Sequence, residues 1–317
     1  MNVMFMGTEV FALEVLQSLY EAKGSSVNLS VVTQTDKPRG RGHKTVYDCV
    51  KNYALEKGLT LYQPQNLREE NFRDILEREA PRMIVVASYG KILPSYVLNY
   101  PECGCVCVHA SLLPKYRGAA PINRVIMDGE ERTGVTLMYM DNGIDTGNMI
   151  AKAAVSIGNM NSGELRGELS RLGAQLLLEH FDRLSQGICP SEKQDNSLSC
   201  YAAKITADDR PIDFSATGKA IVGKIKGLAP APGAVCRVQS SGLALKVLDA
   251  QALPLSVLPD GEFGELVHPS GMKKNSVAVK CADGVVILTL VQPEGSKPMD
   301  GASLLSGRKL CYPDRLL

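Results

Sequence analysis

The sequence has no apolar run long enough to cross a bilayer. Its longest, such as "GVVILTLV" at 284–291, falls far short of the roughly 20 residues a membrane helix needs. No basic-then-apolar leader precedes the first structured segment, because "MNVMFM" already reads as a strand, so a cytoplasmic protein without membrane contact is expected. A charge excess of one sign is missing too. The net charge is +1, which selects no class of partner. There is no CxxC knuckle of the kind that marks zinc, no GxGxxG dinucleotide fingerprint after the first strand, no internal repeat and no low-complexity tract. The nine cysteines lack paired spacing, and in a cytosolic chain they are expected to be reduced and to pack as small apolar residues.

What is present is a chain of 317 residues, 44% hydrophobic and 22% charged, enough for about two domains. Residues 201–317 hold 14 Lys and Arg against 11 Asp and Glu, net +3, which leaves residues 1–200 at −2. A mildly basic second half permits nucleic-acid contact without requiring it.

The first 155 residues alternate strand-like and helix-like segments. "RMIVVASYG" and "GCVCVHA" are continuous apolar runs, as expected of strands buried on both faces. The alternation predicts a Rossmann-like, doubly wound and mostly parallel sheet, with any ligand at the carboxyl ends of its strands. Leu165, Leu169, Leu172, Leu176 and Phe181 recur at helical spacing, and Asn161 with Glu164 offers a capping box. After Gly187 the texture turns polar and aperiodic, so 1–187 reads as one domain and 188–205 as a linker. Residues 206–317 read as a second domain of short strands and turns, including "FGELVHP", in a small β-barrel or sandwich.

Three stretches carry candidate chemistry. In "CGCVCVHASLLPKYRGAAP", Cys103, Cys105, Cys107 and His109 share one face of a strand. Steps of about 6.8 Å along that face do not close a tetrahedron of ligands at about 2.0–2.3 Å, so no metal is expected. Cys103 and Cys105 read as packing. His109 stands at the mouth of the sheet, where Leu113-Pro114 stops the strand and Arg117-Gly118 gives a turn. In "MDNGIDTG", an aspartate beside His109 would orient the imidazole, although a plain turn accounts for the same residues. In "KPRGRGHK", four Lys and Arg and one His sit in eight positions, suited to an anionic partner if not merely a solvated loop.

"HASLLPKYRGAAP" followed by "GVTLMYMDNGIDTG" resembles the signature of the folate-dependent formyltransferases. "MGTEVFA", "TDKPRGRGHK", "VVASYGKILP", "YAAKI", "IDF", "APAPGAV" and "VQPEGSKPM" follow in the order of the family's tRNA-directed branch. The resemblance implies a Rossmann-like catalytic domain followed by an OB-like β-barrel that contacts tRNA. It also implies formyl transfer from 10-formyltetrahydrofolate, a co-substrate rather than a tightly bound cofactor, to the α-amino group of methionyl initiator tRNA. By the same resemblance, His109 and Asp145 are catalytic, while Ser111, Leu112, Leu113, Pro114, Tyr89 and Gly90 lie against the folate. Lys37, Arg39, Arg41 and Lys44 would meet the tRNA, with Arg41 at the central position, and a monomer is expected. The third catalytic position, two before the histidine, holds an asparagine in the family and Cys107 here. A thiol does not reproduce an amide donor. Asn142, in the loop beside Asp145, is a candidate substitute. Two alternatives stay open: a relative that formylates an amino sugar nucleotide or other small amine, and a tRNA-binding relative impaired by Cys107.

Overall fold

The computed structural model describes residues 1–38, 45–46, 48–272 and 275–317. They divide into two compact units, Met1–Pro121 with Arg132–Ser156 and Arg166–Ala203, and Ile122–Glu131 with Ile157–Leu165 and Lys204–Leu317.

In the first unit the chain runs β1 (Asn2–Gly7), α1 (Glu9–Lys23), β2 (Asn28–Val32), a hairpin of β3 (Lys37–Pro38) and β4 (Thr45–Val46), α2 (Cys49–Glu56) and β5 (Thr60–Tyr62). It continues through α3 (Glu69–Glu79), β6 (Met83–Ala87), α4 (Ser95–Leu98) and β7 (Cys105–His109). After α5 (Pro121–Met127), which belongs to the second unit from Ile122 on, come β8 (Arg132–Tyr139), β9 (Met149–Ser156) and the long α6 (Ser162–Ser185), assigned to the first unit from Arg166 on. The sheet order is β5-β2-β1-β6-β7-β8-β9, seven strands among the described residues. Pairing is parallel from β5 to β7 and antiparallel across β7-β8 and β8-β9. The mostly parallel, Rossmann-like sheet read from the sequence is the one present.

The reasons are local. Every residue of β6 and β7 is buried, because helices cover both faces of the sheet centre, whereas β9 alternates as an edge strand. Phe11, Ala12, Val15, Leu16 and Leu19 form the apolar stripe by which α1 docks. Gly7 lets that docking be close: a Cβ there would stand 2.6 Å from Ala12 Cβ. Asn161 caps α6 by accepting from the Gly163 and Glu164 N–H groups, while its own N–H donates to the Glu164 carboxylate. Leu172 is only half-buried, and Leu177 and Leu184 complete the stripe instead. The chain winds from β1 to one side through β2 and β5, then crosses to β6 on the other. That switch point, with the carboxyl ends of β6 and β7 beside it, is where an open α/β sheet forms its crevice.

The second unit holds α7 (Gly218–Leu228), β10 (Ala234–Arg237), β11 (Ala244–Pro254), β12 (Ala278–Cys281), β13 (Gly284–Pro293), β14 (Met299–Asp300) and α8 (Gly301–Ser306). Its antiparallel sheet, ordered β10-β11-β13-β12 with β14 on β13, is bulged near Asp249 and curls in the OB-like manner expected. Ile221, Ile225 and Leu228 of α7 share its core with Val247, Val279, Val286 and Leu288. "FGELVHP" differs from expectation. It makes only isolated bridges, Glu265 to Arg315 and Leu266 to Val279, so the long-range partner and not the strand-like composition decides its form.

Candidate active site

His109 is the last residue of β7 and lies opposite Thr136 of β8. It is 7% exposed. Its Nε2 stands 3.0 Å from the Tyr116 carbonyl, which can only accept, so Nε2 carries a proton and donates it there. Tyr116 holds that carbonyl in place from a left-handed backbone, φ 58°. On the other edge of the ring, Nδ1 faces Asp145 Oδ2 at 3.6 Å. That is an ion-pair separation, wider than a hydrogen bond. Both neighbours are acceptors: Nε2–H is committed to the Tyr116 carbonyl, and Nδ1 is the edge turned toward the carboxylate.

Asp145 lies in the connection between β8 and β9, also left-handed at φ 53°. Its Oδ2 accepts the Gly118 N–H at 2.8 Å. Gly118 is at φ 111°, and a Cβ there would meet the Tyr201 ring at 2.5 Å and the Ala202 carbonyl at 2.9 Å, so no other residue fits the turn. The Gln194 amide donates to the Asp145 and Gly147 carbonyls, each at 2.8 Å.

The Ser111–Pro114 loop leaves β7 beside this pair. Thr136, fully buried, donates to the Ser111 carbonyl at 2.7 Å and accepts from the Leu113 N–H at 3.0 Å, so one hydroxyl pins both ends of the turn. Ser111 donates in turn to the Lys115 carbonyl at 2.7 Å. Leu113 is buried and Leu112 and Pro114 are partly so. Tyr89 and Gly90 emerge from β6, whose Val86 pairs with Cys107, so they leave the sheet at the His109 end. The Tyr89 carbonyl accepts from Gln34 Nε2 at 2.7 Å, while the buried Tyr89 hydroxyl has no hydrogen-bond partner among the described residues. Gly90 is at φ 73°, where a Cβ would stand 2.8 Å from the same Gln34 nitrogen.

The three cysteines go separate ways, and Cys103, expected on the strand, lies instead in the turn before β7. Cys103 Sγ lies 3.4 Å from the Ser185 carbonyl and Cys105 Sγ 3.6 Å from that of Val97. Cys107 packs with Leu113, Met138 and Met149. Burial pushes the Cys105 thiol up to about 12. Burial also pushes the Cys107 thiol far up, and the Asp145 charge pushes it further, so it stays a neutral thiol at physiological pH. Asn142 is exposed, and its Oδ1 accepts from Ser95 Oγ at 2.8 Å. Of the basic-loop residues, Arg39, Arg41 and Lys44 lie outside the described residues, and for Lys37 only the backbone pairing with Val46 is described.

Sequence reasoning missed Thr136, Gln194 and the side chain of Arg117. Thr136 is one apolar-run position among eight, Arg117 reads as half a turn, and Gln194 sits in a polar stretch without period.

Residues 1–179 match the protein family described as formyl transferase, and residues 204–309 match the formyl transferase C-terminal domain. The chain belongs to the formyltransferase family. Its relatives include a methionyl-tRNA formyltransferase of Caldanaerobacter subterraneus subsp. tengcongensis, 41% identical over 313 residues and covering 98% of each chain. One from Citrifermentans bemidjiense is 40% identical over 311 residues, covering 98% of this chain and 94% of the relative. Among solved structures, the sugar 3N-formyltransferase WlaRD aligns over 94% of this formyltransferase and 99% of its own length, at 18% identity and a TM-score of 0.65. At that identity the match speaks for the fold alone. Within the family's fold, His109, Asp145 and the Ser111–Pro114 turn stand together at the carboxyl end of β7.

Proposed function

We propose that this chain transfers a formyl group from 10-formyltetrahydrofolate to the α-amino group of methionyl initiator tRNA, supporting translation initiation. The observation that carries the reading is the His109–Asp145 pair beside the pinned Ser111–Pro114 turn. The chain holding it is about 40% identical, end to end, to relatives named methionyl-tRNA formyltransferase.

The amine attacks the formyl carbon, a C–N bond forms, and the carbonyl oxygen becomes an oxyanion. When the oxyanion collapses, the bond from carbon to folate N10 breaks. The amine gives up a proton and N10 gains one. His109 Nε2 is committed to Tyr116, which leaves Nδ1–H as the ring's donor for the oxyanion. Asp145 stands across the 3.6 Å gap to take the proton of the attacking amine. The folate rests on Ser111–Pro114 and Tyr89-Gly90. The tRNA is met by Lys37, Arg39, Arg41 and Lys44 and by the OB-like unit. Cys107 supplies no amide donor and, as a neutral thiol, no nucleophile.

The test offers purified protein equal concentrations of methionyl initiator tRNA and of an amino sugar nucleotide with labelled 10-formyltetrahydrofolate. Label on the tRNA, recovered as formylmethionine, supports the reading. Label on the sugar refutes it.

A further inference from the structure

Arg117 and Gln194 have no place in the chemistry above, yet both are polar and buried, 9% and 4% exposed. A guanidinium is not buried cheaply unless its donors are used. Here Arg117 Nε and Nη2 donate to Gln194 Oε1 at 3.0 and 2.7 Å, and Nη2 also reaches Asn196 Oδ1 at 2.9 Å. The two bonds to one oxygen fix which end of the Gln194 amide faces Arg117, so its NH2 must point away. It points to the carbonyl of Asp145, whose own backbone is left-handed, and to that of Gly147 two residues on. A non-glycine residue keeps such a backbone only where its surroundings impose it.

The segment 117–118 therefore grips Asp145 twice. Gly118 N–H holds the carboxylate, and the Arg117 side chain, through Gln194, holds the backbone that carries it. Residue 117 is itself clamped, its N–H donating to the Cys200 carbonyl at 3.0 Å and its carbonyl accepting from Ala202 at 2.6 Å. We infer that Arg117 and Gln194 are positioning residues of the formyl-transfer site, a buried relay that sets the Asp145 carboxylate against His109. The inference rests on the proposed function for its kinetic arm only; its structural arm needs no substrate.

The protein labelled with 15N-histidine provides that arm. It has four histidines, and His109 is assigned by its loss in His109→Ala. Gln194→Leu removes both the acceptor and the donor at near-constant volume. Gln194→Glu keeps the acceptor for Arg117, serves as the second variant if the first folds poorly, and still deletes the NH2. In both, the His109 ring resonances move in the direction seen for Asp145→Asn. The turnover per folded molecule falls on the order of a hundredfold, as for a misplaced catalytic group, while KM for the folate holds. Arg117→Lys slows the enzyme alone but adds nothing on top of Gln194→Leu, since it acts through that amide. A parental His109 spectrum with parental turnover, accompanied only by a lower melting temperature, makes the pair ordinary packing and overturns the inference. If the parent itself transfers no formyl group, the functional reading fails separately, and the ring shift still decides the positioning role.

Discussion

By the resemblance read from the sequence, the family carries an asparagine two positions before the histidine proposed here as catalytic, and Cys107→Asn restores it. A missing oxyanion donor typically costs about 2.7–4 kcal/mol, on the order of a hundred- to thousandfold in rate. On the proposed mechanism His109 Nδ1–H meets part of that need, so the expected gain of Cys107→Asn is a sizeable part of the range, roughly tenfold or more in kcat. The structure also sets a cost. The thiol is packed among Leu113, Met138 and Met149, and an amide there whose second donor finds no partner loses about 1–3 kcal/mol. For a unit of this size each kcal/mol lowers Tm by about 2–4 °C, so the variant is faster and less stable. Cys107→Ala removes only packing, about 1–2 kcal/mol, and leaves the rate unchanged. The assay is single-turnover formylation of methionyl initiator tRNA, with thermal melts on the same samples. An inactive Cys107→Ala with a trapped formyl thioester refutes the reasoning, because it requires the thiolate that burial opposes. Equal rates for Asn, Ala and parent refute it in another way, by making the position bland packing.

Three further outcomes are expected. Arg41→Ala weakens tRNA binding and reduces the salt slope of log Kd by about one, one phosphate contact being lost; an unchanged slope removes the loop from the interface. Asp145→Asn and His109→Ala each slow transfer, and the double variant is little slower than either, because the two act as a unit; additive losses contradict this. The third outcome concerns acid stability. Arg124 donates to both Asp209 oxygens, at 2.7 and 2.9 Å, and this contact holds the Asp209 carboxyl below its ordinary range. The stabilisation is therefore present above the unfolded pKa near 3.9 and is lost as pH falls through the lower folded value. Asp209→Asn should lower Tm at pH 7 and flatten the acid limb of the stability profile below about pH 4.

How much of this was readable beforehand follows the range of the interactions. The strands β6 and β7 and the cap of α6 are visible because burial on both faces and capping are written within a few consecutive residues. His109 is visible because it ends such a run next to a proline-stiffened turn. The aspartate that pairs with it was legible only as one of two in a turn-like loop, and the resemblance to a family singled it out. Gln194 was not legible at all: its partners are 77 and 49 residues away, and no period or motif marks a residue whose role is to hold two distant carbonyls. The same cause misled the reading of "FGELVHP", whose β-like composition meets only isolated partners.

The central claim is that formyl transfer to methionyl initiator tRNA runs through His109. The most direct measurement is the single-turnover rate of label from 10-formyltetrahydrofolate into formylmethionyl-tRNA, parent against His109→Ala, with both proteins shown folded and both shown to bind the tRNA. The account predicts product from the parent and a loss of at least about a hundredfold in the variant, the usual scale for a lost oxyanion donor. No product from a parent that binds both substrates, or equal rates in the two proteins, contradicts it.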